Sequence, residues 1–218
     1  MCKQTKYVLY GSMKNRGGRV IWALEELEQT YELVDLKLFE GEQRTPDFQA
    51  INPHGKVPAL IIHDLKQDSS EVVTESLAIL YVLAERHQSL LPPLPQSRAL
   101  CHHWLAYCAT ELEPPLWMHA KHTFVYAKKR RVEDILPTCI YEYQRALNHI
   151  ETILSDGRDY ILEDGFSLAD IYVGQTLMWG RSRSMGTLSD YTEAYIKRLK
   201  GRPAWRRAIA SSGPKENT

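Results

Sequence analysis

The chain has 218 residues, enough for one large domain or two small ones with real cores. Lys plus Arg and Asp plus Glu each number 27, so the formal net charge is zero, which argues against a dedicated nucleic-acid binder. An apolar content of 44% and a charged content of 25% are those of a soluble globular protein, and no run approaches the ~20 apolar residues that span a bilayer.

Met1-Cys2-Lys3-Gln4-Thr5-Lys6 leads straight into a strand-like segment, so no signal peptide is expected. Cys2, Cys101, Cys108 and Cys139 show no paired framework and read as buried or idle thiols in a reducing cytoplasm. Residues 7–10 read as a first strand, and 11–18 as a loop rich in Gly and polar residues. A helix follows over 19–29, with Val20, Ala23, Leu24 and Leu27 at helical spacing. Residues 32–38 read as a second strand with Val34, Leu36 and Leu38 on one face. Residues 39–55 are loop with some short helix. Strands over 59–62 and 71–74 are joined by a polar turn, and 75–87 is the next helix. The order βαβ then ββα is that of a thioredoxin-like domain, with the first two strands parallel neighbours.

Leu91-Pro92-Pro93-Leu94-Pro95 breaks the pattern and reads as a linker. Beyond it the periodicity is helical throughout, over 97–129, 135–154, 168–179, 191–200 and 203–210. The predicted organisation is therefore an α/β domain over 1–88, a linker over 89–96 and an all-α domain over 97–218, with a frayed tail from Ser211. Ser167-Leu168-Ala169-Asp170 is a capping-box variant opening one of these helices, and its role is folding.

The segment Asn52-Pro53-His54-Gly55-Lys56-Val57-Pro58-Ala59-Leu60 carries more information. A Val-Pro step entering an apolar run fits a loop that turns into a strand, and a cis Val57–Pro58 bond is expected there. Such a turn leaves the N–H and C=O of Val57 free to pair with an extended peptide. Glu75-Ser76 opens the next helix, whose unpaired N–H groups and partial positive charge suit a carboxylate. A plain rigid turn at Pro58 and an ordinary cap at Glu75-Ser76 are the simpler alternatives.

These two motifs, in this order, resemble the glutathione-binding domain of cytosolic glutathione S-transferases, and the likeness runs along nearly the whole chain. It implies a thioredoxin-like N-terminal domain plus an all-α C-terminal domain, glutathione as co-substrate with no further cofactor or metal, and a cytoplasmic homodimer. The implied reaction is attack of the glutathione thiolate on a small, hydrophobic electrophile. A non-catalytic glutathione-binding protein, or a peroxidase, dehalogenase or isomerase on the same fold, remains an alternative.

A free thiol has a pKa near ~8.5 and is mostly protonated at neutral pH, so an enzyme must stabilise the thiolate. The loop after the first strand offers Tyr10, Ser12, Asn15 and Arg16. Tyr10 falls inside the strand and reads as a packing aromatic. Aligned by resemblance on Arg19-Val20, serine-type transferases carry their catalytic Ser where this chain has Asn15, and some bacterial members resemble it in having Asn there. Asn15 is the first candidate donor to the sulfur and Ser12 its competitor. Arg16 is a source of charge, and a turn role for Asn15 at an unusual backbone angle stays open.

The resemblance implies further roles. Arg44 stands where the plant-type pattern has a Lys that binds the glycine carboxylate of glutathione, and Lys56 stands beside the Val-Pro step for the same group. Glu75 would take the γ-glutamyl ammonium and Ser76 its carboxylate. The electrophile would lie against the helical domain, where Tyr107, Cys108 and Glu111 are the candidates. His103, Trp104 and Trp117 share that helical segment, with core packing preferred for Trp104. The cluster His102, His103, His119, His122 and Cys101 lacks metal-ligand spacing and reads as a solvated face. Lys128-Lys129-Arg130-Arg131, followed by Glu133-Asp134, reads as an exposed helix end, and the missing Cys-x-x-Cys speaks against thioredoxin chemistry.

Overall fold

The computed structural model describes residues 5–211; Cys2 and the tail beyond Ser211 lie outside them. The chain divides into two compact units, one of residues up to Ser89 together with those from Arg202, the other Leu90–Gly201.

The first unit is built on a four-stranded sheet in the order β2-β1-β3-β4. Strand β1 (Thr5–Tyr10) pairs parallel with β2 (Tyr31–Val34) and antiparallel with β3 (Ala59–Asp64), which pairs antiparallel with β4 (Ser69–Thr74). Helices α1 (Gly17–Glu26), α2 (Pro46–Ile51) and α3 (Ser76–His87) complete the thioredoxin-like order. Leu9, Leu60, Val20, Ala23, Leu24, Ile79, Leu80 and Leu83 have no exposed surface and form the core between sheet and helices.

Strands β1, β3 and β4 run two residues longer than the sequence predicts, and the helix after α3 begins at Pro95 inside the expected linker; two further differences have a plain cause. Strand β2 stops at Val34 because β1 ends at Tyr10. Gly11 takes a last bond, N–H to the Val34 carbonyl at 3.0 Å, and then leaves the sheet. The residues expected to extend the strand instead enter a 3-10 turn at Leu38–Glu40. Helix α1 starts at Gly17 rather than at Arg19, because Asn15 Oδ1 accepts the Gly17 N–H at 2.8 Å and so satisfies a donor of the helix start.

The last helix, α9 (Pro203–Ala210), was counted with the helical domain in the sequence reading; it packs on α1 in the first unit. The Trp205 and Trp22 rings meet edge to face at 4.8 Å. Arg202 grips Glu26 with two bonds of 2.6 and 2.8 Å, and Arg207 reaches Glu25 at 2.8 Å. Ser211 is held here rather than frayed, since the Tyr31 hydroxyl donates to its Oγ at 3.1 Å.

The second unit is helical. The segment expected as one long helix is α4 (Pro95–Tyr107), a π-helical stretch (Cys108–Leu112), α5 (Glu113–Ala120) and a second π-helical stretch (Lys121–Val125). Pro114 and Pro115 lack the N–H groups that would continue the regular ladder, and the Glu113 N–H bonds five residues back to Cys108. The chain then runs through α6 (Leu136–Leu154), α7 (Leu168–Ser182) and α8 (Asp190–Gly201). Leu105, Leu112, Tyr143, Leu147, Ile150, Ile171 and Leu177 form its core.

The capping box is present at Ser167 and Asp170. Asp170 is fully buried and also accepts the Ile161 N–H at 2.8 Å and the Tyr195 hydroxyl at 2.9 Å. Burial raises its carboxyl to about 6 against the opposing pull of these hydrogen bonds. Among the described residues no helix is long and apolar enough to cross a membrane, and no group of three or more His, Cys, Asp or Glu side chains is placed to hold a metal ion.

Candidate active site

Sheet register gathers the motifs. Tyr10 pairs with Ala59, and Ala59 with Thr74. The residues next to these three in sequence are the Gly11 loop, the Val57–Pro58 turn and the Glu75-Ser76 helix start. All three therefore meet at one end of the sheet. The loop doubles back tightly, as a Cβ on Gly17 would lie 2.8 Å from the Gly11 Cα, the Ser12 nitrogen and Asn15 Oδ1. It also lies against the turn, as a Cβ on Gly11 would be 3.7 Å from that of Pro58.

Within the loop, Asn15 is a brace. Its Oδ1 accepts the backbone N–H of Ser12 at 3.2 Å and of Gly17 at 2.8 Å, and its Nδ2 donates to Ser12 Oγ at 3.0 Å. Two backbone donors on one atom fix which end of the amide is oxygen. Asn15 is absent from the residues with positive φ, so the unusual-angle role is not the one it plays. Ser12 is buried, and accepting from Asn15 leaves the hydroxyl its own proton to donate. Arg16 stands half-buried just before α1 with ordinary helical angles. Tyr10 is the last residue of β1, and its ring packs 5.5 Å from that of Phe48.

The Val57–Pro58 peptide is cis. Asn52, also buried, shapes the approach: its Nδ2 donates to the Lys56 carbonyl at 2.7 Å and its Oδ1 accepts the His54 N–H at 3.1 Å. Gly55 has φ +59, and a Cβ there would be 2.9 Å from the Gln43 carbonyl oxygen. That contact sets the 3-10 turn Glu42–Arg44 against the same loop, so Arg44 and Lys56, both exposed, come from adjoining segments. Gln43 Oε1 is buried there with no hydrogen-bond partner.

Glu75 precedes α3 with φ 65 and ψ 119, a conformation that costs a non-glycine residue roughly 1–3 kcal/mol. Ser76, the first residue of α3, is buried, and its Oγ accepts from Arg19 Nη1 at 3.3 Å. The sequence reading used Arg19 only to align the chain. Arg19 stands three and four residues before Trp22 and Ala23, on the buried side of α1.

The expected electrophile residues differ in exposure. Cys108 has no exposed surface; its thiol donates to Thr176 Oγ1 at 3.3 Å in the core of the helical unit. It continues the buried face that Cys101, Trp104 and Leu105 form along α4. The Tyr107 hydroxyl donates to the Ala146 carbonyl at 3.1 Å, and burial raises its pKa. Glu111 is exposed. Cys101 and Cys139 are buried free thiols as well.

A thioredoxin-like unit with a cis-Pro turn and a helical unit after it define a class of protein. Two family models match this chain, the glutathione S-transferase N-terminal domain over residues 5–85 and the glutathione S-transferase C-terminal domain over 133–210. Glutathione S-transferase F10 of Arabidopsis thaliana is 30% identical over 170 residues, 75% of this chain and 75% of that protein. The disulfide-bond oxidoreductase YfcG of Escherichia coli K12 is 28% identical over 204 residues, 92% of this chain and 93% of that one. A crystal structure of a glutathione transferase from Burkholderia graminis, with two glutathione molecules bound per subunit, is similar with a TM-score of 0.79 and 27% identity, covering 97% of this chain and 90% of that one. The chain belongs to the glutathione S-transferase family.

Proposed function

We propose that the protein binds glutathione at the end of the sheet formed by the Gly11–Gly17 loop, the Val57–Pro58 turn and the start of α3, and transfers it to a small electrophile. The observation that carries this reading is the register that brings Tyr10, Ala59 and Thr74 side by side. The Val57 backbone pairs with the cysteinyl residue of the peptide. Ser76 and the N–H groups of α3 receive the γ-glutamyl carboxylate, Glu75 the ammonium, and Arg44 with Lys56 the glycine carboxylate.

Ser12 donates its hydroxyl proton to the sulfur and stabilises the thiolate; Asn15 acts through Ser12 by holding its oxygen, and Arg16 adds positive charge nearby. The thiolate attacks an electrophilic carbon of the second substrate. A C–S bond forms, and the displaced group leaves with the electron pair, or an added proton completes an addition. The assembly is a homodimer by family likeness.

The likeness to the oxidoreductase from Escherichia coli favours a second reading, in which the same thiolate attacks a disulfide sulfur and expels a thiolate. Calorimetry with glutathione, then product analysis with a chloronitroaromatic and with a mixed disulfide, separates the two. A chain that binds no glutathione contradicts both.

A further inference from the structure

We infer that the segment between His122 and Val132 docks the protein on an anionic phospholipid surface, a role separate from the glutathione reading above. The basic run expected as a helix end is instead the tip of a closed hoop. The chain leaves the second π-helical stretch at Val125, and the Val132 N–H returns to donate to His122 Nδ1 at 3.0 Å. Arg131 pins the same loop: its Nε donates to the Tyr126 carbonyl at 2.8 Å and its Nη2 to the Phe124 carbonyl at 3.3 Å. The Arg183 guanidinium lies 4.6 Å over the Phe124 ring. A loop tied in this way presents one shape to a partner.

Residues 122–132 contain no Asp or Glu. The fold uses Arg131 on backbone carbonyls. Lys128, Lys129 and Arg130 form the exposed 3-10 turn at the tip, and among the described residues none of them joins an ion pair. Neighbouring like charges repel one another, and an anionic surface relieves that repulsion at all of these positions. Glu133 and Asp134 follow beyond the closure at Val132.

The hoop also exposes apolar surface: Phe124 is 37% exposed, Val125 43% and Val132 53%. That combination chooses among polyanions. A nucleic acid uses aromatic faces for stacking, but Val125 and Val132 offer none, and Arg183 already covers one face of Phe124. An acidic peptide answers the cations and leaves the valines in water. A phospholipid interface takes both, its phosphates against the cations and its headgroup–acyl boundary against the apolar side chains.

The test is co-sedimentation of the full chain with vesicles of phosphatidylcholine and with vesicles that mix phosphatidylcholine and phosphatidylglycerol. A cation at an anionic surface contributes about fivefold to partitioning, so the tip contributes up to about a hundredfold. The wild type should bind the mixed vesicles at least about tenfold more strongly than phosphatidylcholine alone, and concentrated salt should release it. The triple variant Lys128→Gln, Lys129→Gln, Arg130→Gln, changed only at exposed positions, should lose that preference. Val125→Ser with Val132→Ser should weaken binding to the mixed vesicles by about threefold or more. Equal binding of the wild type to both vesicles overturns the inference, as does a triple variant that keeps the preference. A folded valine variant that binds as the wild type does overturns it too, since the surface would then take any polyanion. So does a wild type that binds a single-stranded oligonucleotide or polyglutamate more tightly than the mixed vesicles at matched anion concentration. If thermal melts show the valine variant unfolded, the triple variant and the competing polyanions decide.

Discussion

Asn15 and Ser12 are joined twice: the Asn15 amide donates to the Ser12 hydroxyl at 3.0 Å, and its carbonyl oxygen accepts the Ser12 backbone N–H at 3.2 Å. The two halves of the amide therefore do different work, one holding the loop and one orienting a hydroxyl.

Substitution separates those halves. Asn15→Ala leaves the Ser12 and Gly17 N–H groups without their acceptor, and should destabilise the fold by about 1–3 kcal/mol. Asn15→Asp keeps the acceptor but offers no donor, and its carboxylate captures the Ser12 proton. Its melting temperature should stay near that of the wild type while kcat/KM for glutathione falls by about tenfold or more. Thermal melts with steady-state kinetics check this; full activity in Asn15→Asp contradicts it.

The α9 contact should matter to the first unit. Trp205 packs edge to face on the fully buried Trp22. Trp205→Ala should cost about 3 kcal/mol by urea unfolding, in the range for deleting a buried large aromatic. A change below about 1 kcal/mol would mean that α9 is not part of that core.

Asp170 serves more than its helix. Its oxygens take the N–H groups of Ser167 and Ile161 and the Tyr195 hydroxyl. Asp170→Ala strands all three in the interior and should destabilise by about 3 kcal/mol or more. Ser167→Ala removes a smaller share, about 1 kcal/mol. Equal losses in the two variants contradict the account.

His87 predicts acid sensitivity. Its ring nitrogen meets the Tyr7 hydroxyl at 2.9 Å, and burial, then the neighbouring Arg86, lower its pKa. The unfolded chain therefore binds a proton more readily than the folded one as pH falls through about 6.5. His87 therefore subtracts stability between about pH 7.5 and 5.5 while Asp170 acts in the opposite sense, so the check is the difference between the two proteins: urea midpoints should shift less favourably on acidification in the wild type than in His87→Gln. The same slope in both proteins removes His87 from the explanation.

Much of this architecture was legible in sequence. Strand and helix order followed from periodicity, and the Val57–Pro58 and Glu75-Ser76 positions from turn and helix-start chemistry. Ser167-Asp170 was read correctly as a cap. The misses have physical causes. The end of β2 depends on where its partner β1 stops, which periodicity within β2 does not record. Cys108 lies inward on the regular spacing of Cys101, Trp104 and Leu105, a pattern that the sequence already carried, and the π-helical turns shift only the residues that follow it. The α9 packing rests on the side chains of Trp22, Glu25 and Glu26, distant in sequence. The ranking of Asn15 over Ser12 rests on alignment alone, and the proposal above reverses it on the hydrogen-bond directions within the loop. The burial of Arg19 is not legible in sequence, because a charge beside an apolar stripe reads as its solvated edge.

The central claim is that Ser12 donates to the glutathione sulfur. The most direct measurement is the thiolate absorbance of bound glutathione against pH in the wild type and in Ser12→Ala. A hydrogen bond to a charged group contributes about 1.5–3 kcal/mol, and one pKa unit corresponds to about 1.4 kcal/mol. Ser12→Ala should therefore raise the midpoint by about one to two units while the peptide still binds. A midpoint that stays in place when Ser12 is Ala, with glutathione bound, would contradict the account.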